Sequence, residues 1–281
     1  KVGVHVLPKF PKDTTDRNRT APLAFTGNKF EFRMLGSSDS VSEPNVVLNT
    51  AVAESLRLFA DELEAAEDFE TALHDLIKKT VEKHDRIIFN GNCYDEAWIK
   101  EAEKRGLSNL ETTPDALPHL LDEKNIKLFT THKIYTENEL KSRLEILLEN
   151  YCHILGIEAA TMADMARKDI LPAISRYITD LASAVSVGDI IGEDLRDSFE
   201  AVTARELTAL KATAFGELTL LERAAAKAKE IENSEERANY YKNSVIPVME
   251  ALRASVDAME KLTCEDYWPM PNYGDLLFGV M

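Results

Sequence analysis

Cysteine is scarce in this chain: Cys93, Cys152 and Cys264 are the only three among 281 residues, and no two form a Cys-x-x-Cys pair. An odd, scattered set of this kind is neither a disulfide framework nor a thiolate metal site, and it is typical of proteins in a reducing compartment. We therefore expect three free thiols and a cytoplasmic protein.

Long apolar runs are also missing. The longest stretch without Asp, Glu, Lys or Arg is Pro44–Ala53, whereas a transmembrane helix needs about 20 apolar residues. The N-terminus has no signal-peptide pattern. The sequence therefore predicts a protein with no membrane partner.

Positive charge is in deficit. The chain has 33 Lys and Arg residues against 49 Asp and Glu residues, which gives a formal net charge of −16. Binding to nucleic acid requires a cationic face that neutralises phosphates. No basic patch offsets the acidic excess, so we predict no nucleic-acid partner.

Several motifs with well-known chemistry are absent. The six histidines show no metal-ligand spacing such as His-Glu-x-x-His, and the sequence contains no Gly-x-x-x-x-Gly-Lys, Gly-x-Gly-x-x-Gly or Gly-x-Ser-x-Gly. This excludes the common nucleotide-loop folds, α/β hydrolases and histidine-based zinc proteases. We interpret all six histidines as ordinary.

The informative segment is Lys29–Arg33, in which charged and aromatic residues alternate. In a β-strand Lys29, Glu31 and Arg33 point to one face, while Phe30 and Phe32 point to the other, which we expect to be buried. A carboxylate between two cations suits an anionic substrate and a divalent metal. The alternative is a cross-strand salt-bridge ladder with little effect on stability.

Longer motifs surround this segment. Asp16–Pro22 reads Asp-Arg-Asn-Arg-Thr-Ala-Pro, Glu43-Pro44-Asn45 opens a helix, and Asn90-Gly91-Asn92 and the tail Trp268–Phe278 follow later. Together these motifs resemble the C-terminal part of the catalytic domain of glutamine synthetases, in particular the large type III branch. The resemblance extends over essentially the whole chain.

The resemblance implies a role for four side chains. Glu31 matches the glutamate that holds a divalent ion bridging the nucleotide phosphates. Arg33 matches the arginine that engages glutamate and its γ-glutamyl phosphate, and Arg19 matches the arginine that neutralises the transferring phosphoryl group. Lys29 stands where many relatives have arginine, which keeps the charge but loses the planar fork of a guanidinium, and is expected to contact nucleotide phosphate.

The resemblance also implies a reaction. It is the ATP-dependent ligation of glutamate and ammonia to glutamine, with Mg²⁺ or Mn²⁺, in a ring-shaped homo-oligomer. Two alternatives remain open: a related ligase that joins glutamate to another amine, or a non-catalytic role in which a helical module mediates assembly.

The chain is expected to be the C-terminal portion of a longer enzyme. Fifteen residues precede Asp16 and the first residue is Lys1, whereas the other metal-binding carboxylates, the metal-binding histidine and the nucleotide loops of relatives lie N-terminal to this motif. We therefore expect that this chain alone does not make glutamine.

Local signals predict the elements of the first half. Alternating valines predict a strand over Lys1–Leu7, and a second strand is predicted over Phe30–Met34. A helix is predicted to begin at Ser42 or Glu43, with Pro44 in its first turn, to continue to about His84 and to pack on the sheet that carries Glu31. Asp95 is predicted to cap a helix that Gly106 closes, and Thr113 to open a short one.

The second half is predicted to be an antiparallel helical bundle, because apolar residues recur at helical spacing on otherwise charged segments. Gly156 is predicted to interrupt this pattern, Pro172 and Pro247 to start or kink helices, and the tail Tyr267–Phe278 to dock without regular structure. The predicted stripes are Leu140, Leu144, Leu147 and Tyr151; Leu171, Ile174, Ile178, Leu181 and Val185; Phe199, Val202, Leu207, Leu210, Leu218 and Leu221; and Val245, Met249, Leu252, Val256 and Met259.

The predicted fold class is α+β and mostly helical. Residues 1–135 are expected to form part of a glutamine synthetase catalytic sheet with its packing helices. Residues 136–281 are expected to form the helical bundle and the docking tail.

Overall fold

The computed structural model describes residues 23–25, 30–33, 40–89 and 91–279, and every structural statement below concerns these residues. The predicted strand Lys1–Leu7, the whole motif Asp16–Pro22, and the single residues Lys29, Met34 and Asn90 lie outside them. Two strands, eleven α-helices and short 3₁₀ and π turns make up the described elements.

The described chain is mostly helical. Its α-helices are α1 Ser42–Glu64, α2 Phe69–His84, α3 Glu96–Lys104, α4 Thr113–Ala116, α5 Glu123–Thr131, α6 Glu137–Met165, α7 Leu171–Ile191, α8 Phe199–Glu230, α9 Ser234–Tyr240, α10 Ile246–Glu260 and α11 Tyr273–Phe278.

The predicted partial catalytic sheet is not supported. Within the described residues, strand pairing is limited to β1 Leu23–Phe25 and β2 Phe30–Phe32, which run antiparallel with Ala24 opposite Glu31. Two strands of three residues form a ribbon, which is marginal as an independent layer. Strand β2 starts where the alternation predicted and is shorter than expected.

The chain divides into two compact units, Lys1–Leu140 and Lys141–Met281. The division falls inside α6, because this helix runs without a break across it. Our predicted division between residues 135 and 136 lies nearby and stays a prediction.

In the first unit, the single long helix predicted from Ser42 to His84 is wrong. Helix α1 begins at Ser42 as predicted, but the chain leaves helical geometry after Glu64 and α2 begins at Phe69. Asp68 adopts an extended conformation, and its carboxylate accepts hydrogen bonds from the Glu70 amide and the Thr71 hydroxyl. This N-cap is a local signal strong enough to start a new helix inside an apolar pattern that continues past it.

The predicted boundaries of α3 are confirmed. The Asp95 carboxylate accepts a hydrogen bond from the Ala97 amide at 2.9 Å, and Gly106 adopts a φ of +73° just after the helix. A left-handed glycine satisfies the last carbonyl groups of a helix without strain.

In the second unit, Gly156 does not interrupt the helix, since α6 continues through it to Met165. A Cβ atom at position 156 would lie 2.9 Å from the hydroxyl oxygen of Tyr241. The glycine is therefore explained by the close approach of another side chain rather than by a turn.

Both predicted proline positions follow a π turn. Pro172 lies in the first turn of α7 after Ala166–Ile170, and Pro247 lies in the first turn of α10 after Tyr241–Val245. Proline has no amide hydrogen and its ring collides with the carbonyl four residues earlier in an α-helix. A turn with one extra residue relieves that collision and lets the helix continue in a new direction.

Helices α7 and α8 run antiparallel. Arg167, just before α7, pairs with Glu222 late in α8, whereas Ser175, further along α7, contacts Lys211 earlier in α8. Helix α8 also packs against α10. Six residues of the predicted stripes on these helices are fully buried: Ile174, Leu207, Leu218, Leu221, Leu252 and Met259.

Parts of the predicted stripes are wrong. On α6 Leu140 is buried as predicted, but Leu148 and Cys152 are buried one position after the predicted Leu147 and Tyr151. At the start of α8, Phe199 and Val202 are exposed. Apolar residues lie on both faces of α6, so the sequence pattern does not show which face is buried. Packing against the other helices selects that face.

The tail docks, but it also contains a helix that was not predicted. Tyr267 donates a hydrogen bond to Asp180 and its ring lies 4.9 Å from that of Tyr177. Helix α11 begins with a capping box between Asn272 and Asp275. The capping box supplies hydrogen-bond partners for the first turn of α11. A short helix therefore forms although two prolines and a glycine in the tail disfavour regular structure.

All three cysteines are free thiols, as predicted. None of the helices in the described ranges combines the length and apolar character needed to cross a bilayer.

Candidate functional site

The structure brings together two of the four predicted site residues. Glu31 lies on β2 and Arg33 follows the strand directly, with both side chains on the same side. Arg33 Nη2 donates a hydrogen bond to Glu31 Oε2 at 3.0 Å. Their side chains are 33% and 22% exposed, respectively. Arg19 and Lys29 lie outside the described residues, so their predicted roles stay predictions.

The predicted burial of the aromatic face is wrong for Phe30. Its side chain is 67% exposed, while Phe32 is half-buried. A two-stranded ribbon covers one face at most, so alternation alone does not decide whether its apolar side meets a core.

The pair Glu31 and Arg33 is chemically versatile. A carboxylate can bind a cation, and a guanidinium can bind a substrate oxyanion. The same 3.0 Å contact also fits a simple ion pair on a strand face. The geometry is therefore compatible with both hypotheses derived from the sequence.

Metal ligands are not assembled elsewhere in the described chain. Across the described ranges, no group of three His, Cys, Asp or Glu side chains is arranged to hold an ion. The expectation that Glu31 supplies a ligand thus requires further ligands from beyond these ranges.

A second charged cluster, in the first unit, was not found from the sequence. Arg57 donates two hydrogen bonds to Glu54, each at 2.9 Å, and one to Asp61 at 2.8 Å. His132, the residue after α5, completes the cluster with Nε2 at 2.8 Å from Glu54 Oε2. The spacing of the α1 residues was a readable signal, but His132 is 78 positions away and no local pattern links it to them.

Comparison with known proteins gives the family. Residues 72–188 match the family model described as glutamine synthetase C-terminal domain. The type-3 glutamine synthetase of Dictyostelium discoideum is 39% identical over 288 residues, and this alignment covers 99% of this chain.

Two bacterial proteins give the same result. A glutamine synthetase of Butyrivibrio fibrisolvens is 36% identical over 96% of the chain, and one of Bacteroides fragilis is 34% identical over 99% of it. The chain spans only 39% of the length of each of the three relatives. The chain therefore belongs to the glutamine synthetase family, and it corresponds to a segment of such a protein that includes the C-terminal domain.

Proposed function

We propose that this chain is part of an ATP-dependent glutamate–ammonia ligase. The observation that carries the proposal is its identity of 34–39%, over 96–99% of its length, to proteins named glutamine synthetase. In this proposal Glu31 is a metal ligand, Arg33 binds glutamate, and Arg19 and Lys29 contact the phosphates.

The reaction explains why cations are needed. The γ-carboxylate of glutamate is a poor electrophile, so the γ-phosphoryl group of ATP is transferred to it, which gives ADP and γ-glutamyl phosphate. Ammonia then displaces phosphate and forms the amide. Negative charge accumulates in the first step, and positioned guanidinium groups stabilise it. Arg33 and Arg19 are proposed to supply that stabilisation.

The divalent ion of the proposal is Mg²⁺ or Mn²⁺. Mg²⁺ commonly binds through one or two carboxylates together with phosphate oxygens and water, and the partly buried Glu31 carboxylate suits one such position. When bound, the ion supplies positive charge next to the nucleotide phosphates. Arg33 holds the Glu31 carboxylate in a fixed direction through their 3.0 Å contact.

Exposed apolar side chains on α1 support the proposal that a larger catalytic domain packs here. Among the 23 residues of this helix only Thr50 is buried, and Val47, Leu56 and Leu58 are all exposed. A long helix with so little burial is not stabilised by its own propensity. We propose that α1 packs on a catalytic sheet larger than β1 and β2.

Assembly and localisation belong to the same proposal. A ring-shaped homo-oligomer and a cytoplasmic location are expected of such an enzyme, and three free cysteines suit a reducing compartment. The alternative is a ligase that joins glutamate to an amine other than ammonia. An assay with several amine acceptors distinguishes the two.

The experiment uses the protein that contains this chain and measures glutamine formation from ATP, glutamate and ammonia. Glu31→Ala is expected to lower kcat about a hundredfold or more and to alter the dependence on metal concentration, because one charge-assisted contact in the transition state is lost. Arg33→Ala is expected to lower kcat/KM for glutamate by a comparable factor.

Matched controls remove the same charges elsewhere. Glu230→Ala and Arg196→Ala change exposed side chains of the helical unit and should leave both parameters within about twofold of the parent. Normal kinetics of Glu31→Ala across a metal titration would show that the charged face of β2 is only a salt-bridge ladder.

A further inference from the structure

The second unit contains a depression of ≈ 750 Å³ that the proposed ligase chemistry does not use. It lies between α6, the end of α8, α9 and the π turn that follows α9. Its volume falls within the range of small-molecule sites. The ionisable side chains on its wall are Glu149, Cys152, His153, Lys229, Arg237 and Tyr241.

Tyr241 presents a hydroxyl group to the wall of the depression. Its residue is 3% exposed, and its hydroxyl group points across Gly156 into the wall of the depression. No described residue forms a hydrogen bond with this hydroxyl group. The hydroxyl group can therefore donate to a ligand in the depression. Tyr241 also opens a π turn, a feature that is frequent at functional sites.

Two cations on the same wall lack an anionic partner. Neither Lys229 nor Arg237 forms an ion pair with a carboxylate of the described residues, and the Arg237 Nε atom is buried without an acceptor. Lys229 is exposed and needs no protein partner, whereas a buried guanidinium nitrogen normally has an acceptor. The buried Arg237 Nε atom therefore indicates a missing acceptor on this wall.

The remaining ionisable groups do not replace that acceptor. Burial raises the pKa of the Cys152 thiol, so the thiol stays neutral near pH 7. Glu149 is the one carboxylate on the wall, and with Lys229 and Arg237 it leaves a net positive charge. The depression therefore has a surplus of donors and of positive charge.

We propose that this depression binds a small organic oxyanion, a carboxylate or phosphate group with a short apolar body. Arg237, Lys229 and the Tyr241 hydroxyl hold the oxyanion, because guanidinium, ammonium and phenol groups all donate hydrogen bonds to its oxygens. The apolar body lies over Ile146, Ile157 and Ala160. The site does not depend on the ligase proposal, since none of these residues belongs to it.

The test is isothermal titration calorimetry of the 281-residue chain with three probes of similar shape. Benzoate and phenyl phosphate carry the oxyanion, and benzamide is the neutral control. At least one oxyanion is expected to bind one site with a Kd of about 1 mM or tighter, and benzamide at least about tenfold more weakly. The tighter of the two oxyanions identifies whether the site favours carboxylate or phosphate.

Variants assign the binding to this depression. Arg237→Met and Lys229→Met are each expected to weaken the bound oxyanion about tenfold or more, and Tyr241→Phe severalfold. Lys229 is exposed, so its variant should fold even if Arg237→Met does not. Arg196→Met, which removes an exposed cation from the loop before α8, should leave the Kd unchanged.

Three results would overturn the proposal. They are the absence of saturable binding by both oxyanions, equal binding of benzamide, and unchanged affinity in Lys229→Met together with folded Arg237→Met. Circular dichroism of each variant establishes that it is folded before its affinity is compared.

Discussion

At the scale of single residues, Glu54 illustrates how one carboxylate links distant parts of the first unit. The Arg57 guanidinium on the same helix, and next the His132 ring just after α5, hold the pKa of Glu54 at about 2, against 4.5 for an ordinary glutamate. Both partners donate to the ionised form, so the folded state favours the carboxylate.

This shift predicts a pH dependence of stability. Because the folded-state pKa is depressed, the stabilisation is fully present above pH 4.5 and is lost as the pH falls towards about 2. Glu54→Gln is expected to lower the melting temperature at pH 7, and the difference from the parent chain should shrink between pH 4.5 and pH 2. Circular dichroism melts over that range measure it.

Glu62→Gln is the matched control for that prediction. Glu62 lies on the same helix and contacts Lys79 only at 3.4 Å in an exposed pair, which contributes little to stability. A constant difference between Glu54→Gln and the parent across the whole pH range would contradict the assigned cause of the shift.

Residue identity alone misleads where the reason for it lies in a distant contact. Gly156 was predicted to interrupt a helix, yet α6 passes through it. The glycine is needed because the Tyr241 hydroxyl occupies the space that a side chain would fill. Nothing within one helical turn of Gly156 encodes the position of Tyr241. By contrast, the left-handed Gly106 was predicted from the sequence because its cause, the end of α3, is local.

At the scale of elements, helix starts were the most predictable feature. Asp95 and Pro44 marked the first turns of α3 and α1 because capping and ring geometry act over three or four residues. Asp68 was an equally local signal that the continuous apolar pattern concealed. The π turns were not predictable, since only their prolines are visible in the sequence.

The Asp95 cap gives a prediction at this scale. Asp95→Ala removes the acceptor of the Ala97 amide and is expected to lower the free energy of unfolding by about 1 kcal/mol. Urea unfolding followed by circular dichroism measures the loss. Asp95→Ser retains an acceptor at the cap and should recover most of the stability; equal losses in both variants would show that the cap bond is not the cause.

At the scale of the whole molecule, the helical unit has a core of its own. Leu218 and Leu221 on α8 and Leu252 on α10 are fully buried, and α8 packs against both α7 and α10. A continuous apolar seam of this kind is sufficient for a bundle to fold.

We therefore predict that residues 136–281 fold without the remainder of the chain. Expressed separately, this segment should give a strongly helical circular dichroism spectrum and a cooperative melt. Leu218→Ala should lower the free energy of unfolding by about 2–5 kcal/mol because it leaves a cavity, whereas Leu220→Ala, at an exposed site on the same helix, should change it little. A disordered spectrum would mean that the leucines require the first unit.

The sequence by itself determined what depends on neighbours along the chain. This includes the helical character of the second half, the caps of α1 and α3, and the alternation that places Glu31 and Arg33 on one face of β2. It also carried the motifs of the glutamine synthetase family. Each of these follows from spacing within a few residues, where backbone geometry fixes which side chains share a face.

Only the tertiary structure decided what depends on residues distant in the sequence. It selected Leu148 and Cys152 rather than Leu147 and Tyr151 as the buried face of α6. It also placed Tyr241 over Gly156, beside Arg237. The physical reason is that burial and the pairing of charges are set by whichever surface packs against a residue, and that surface comes from another part of the chain.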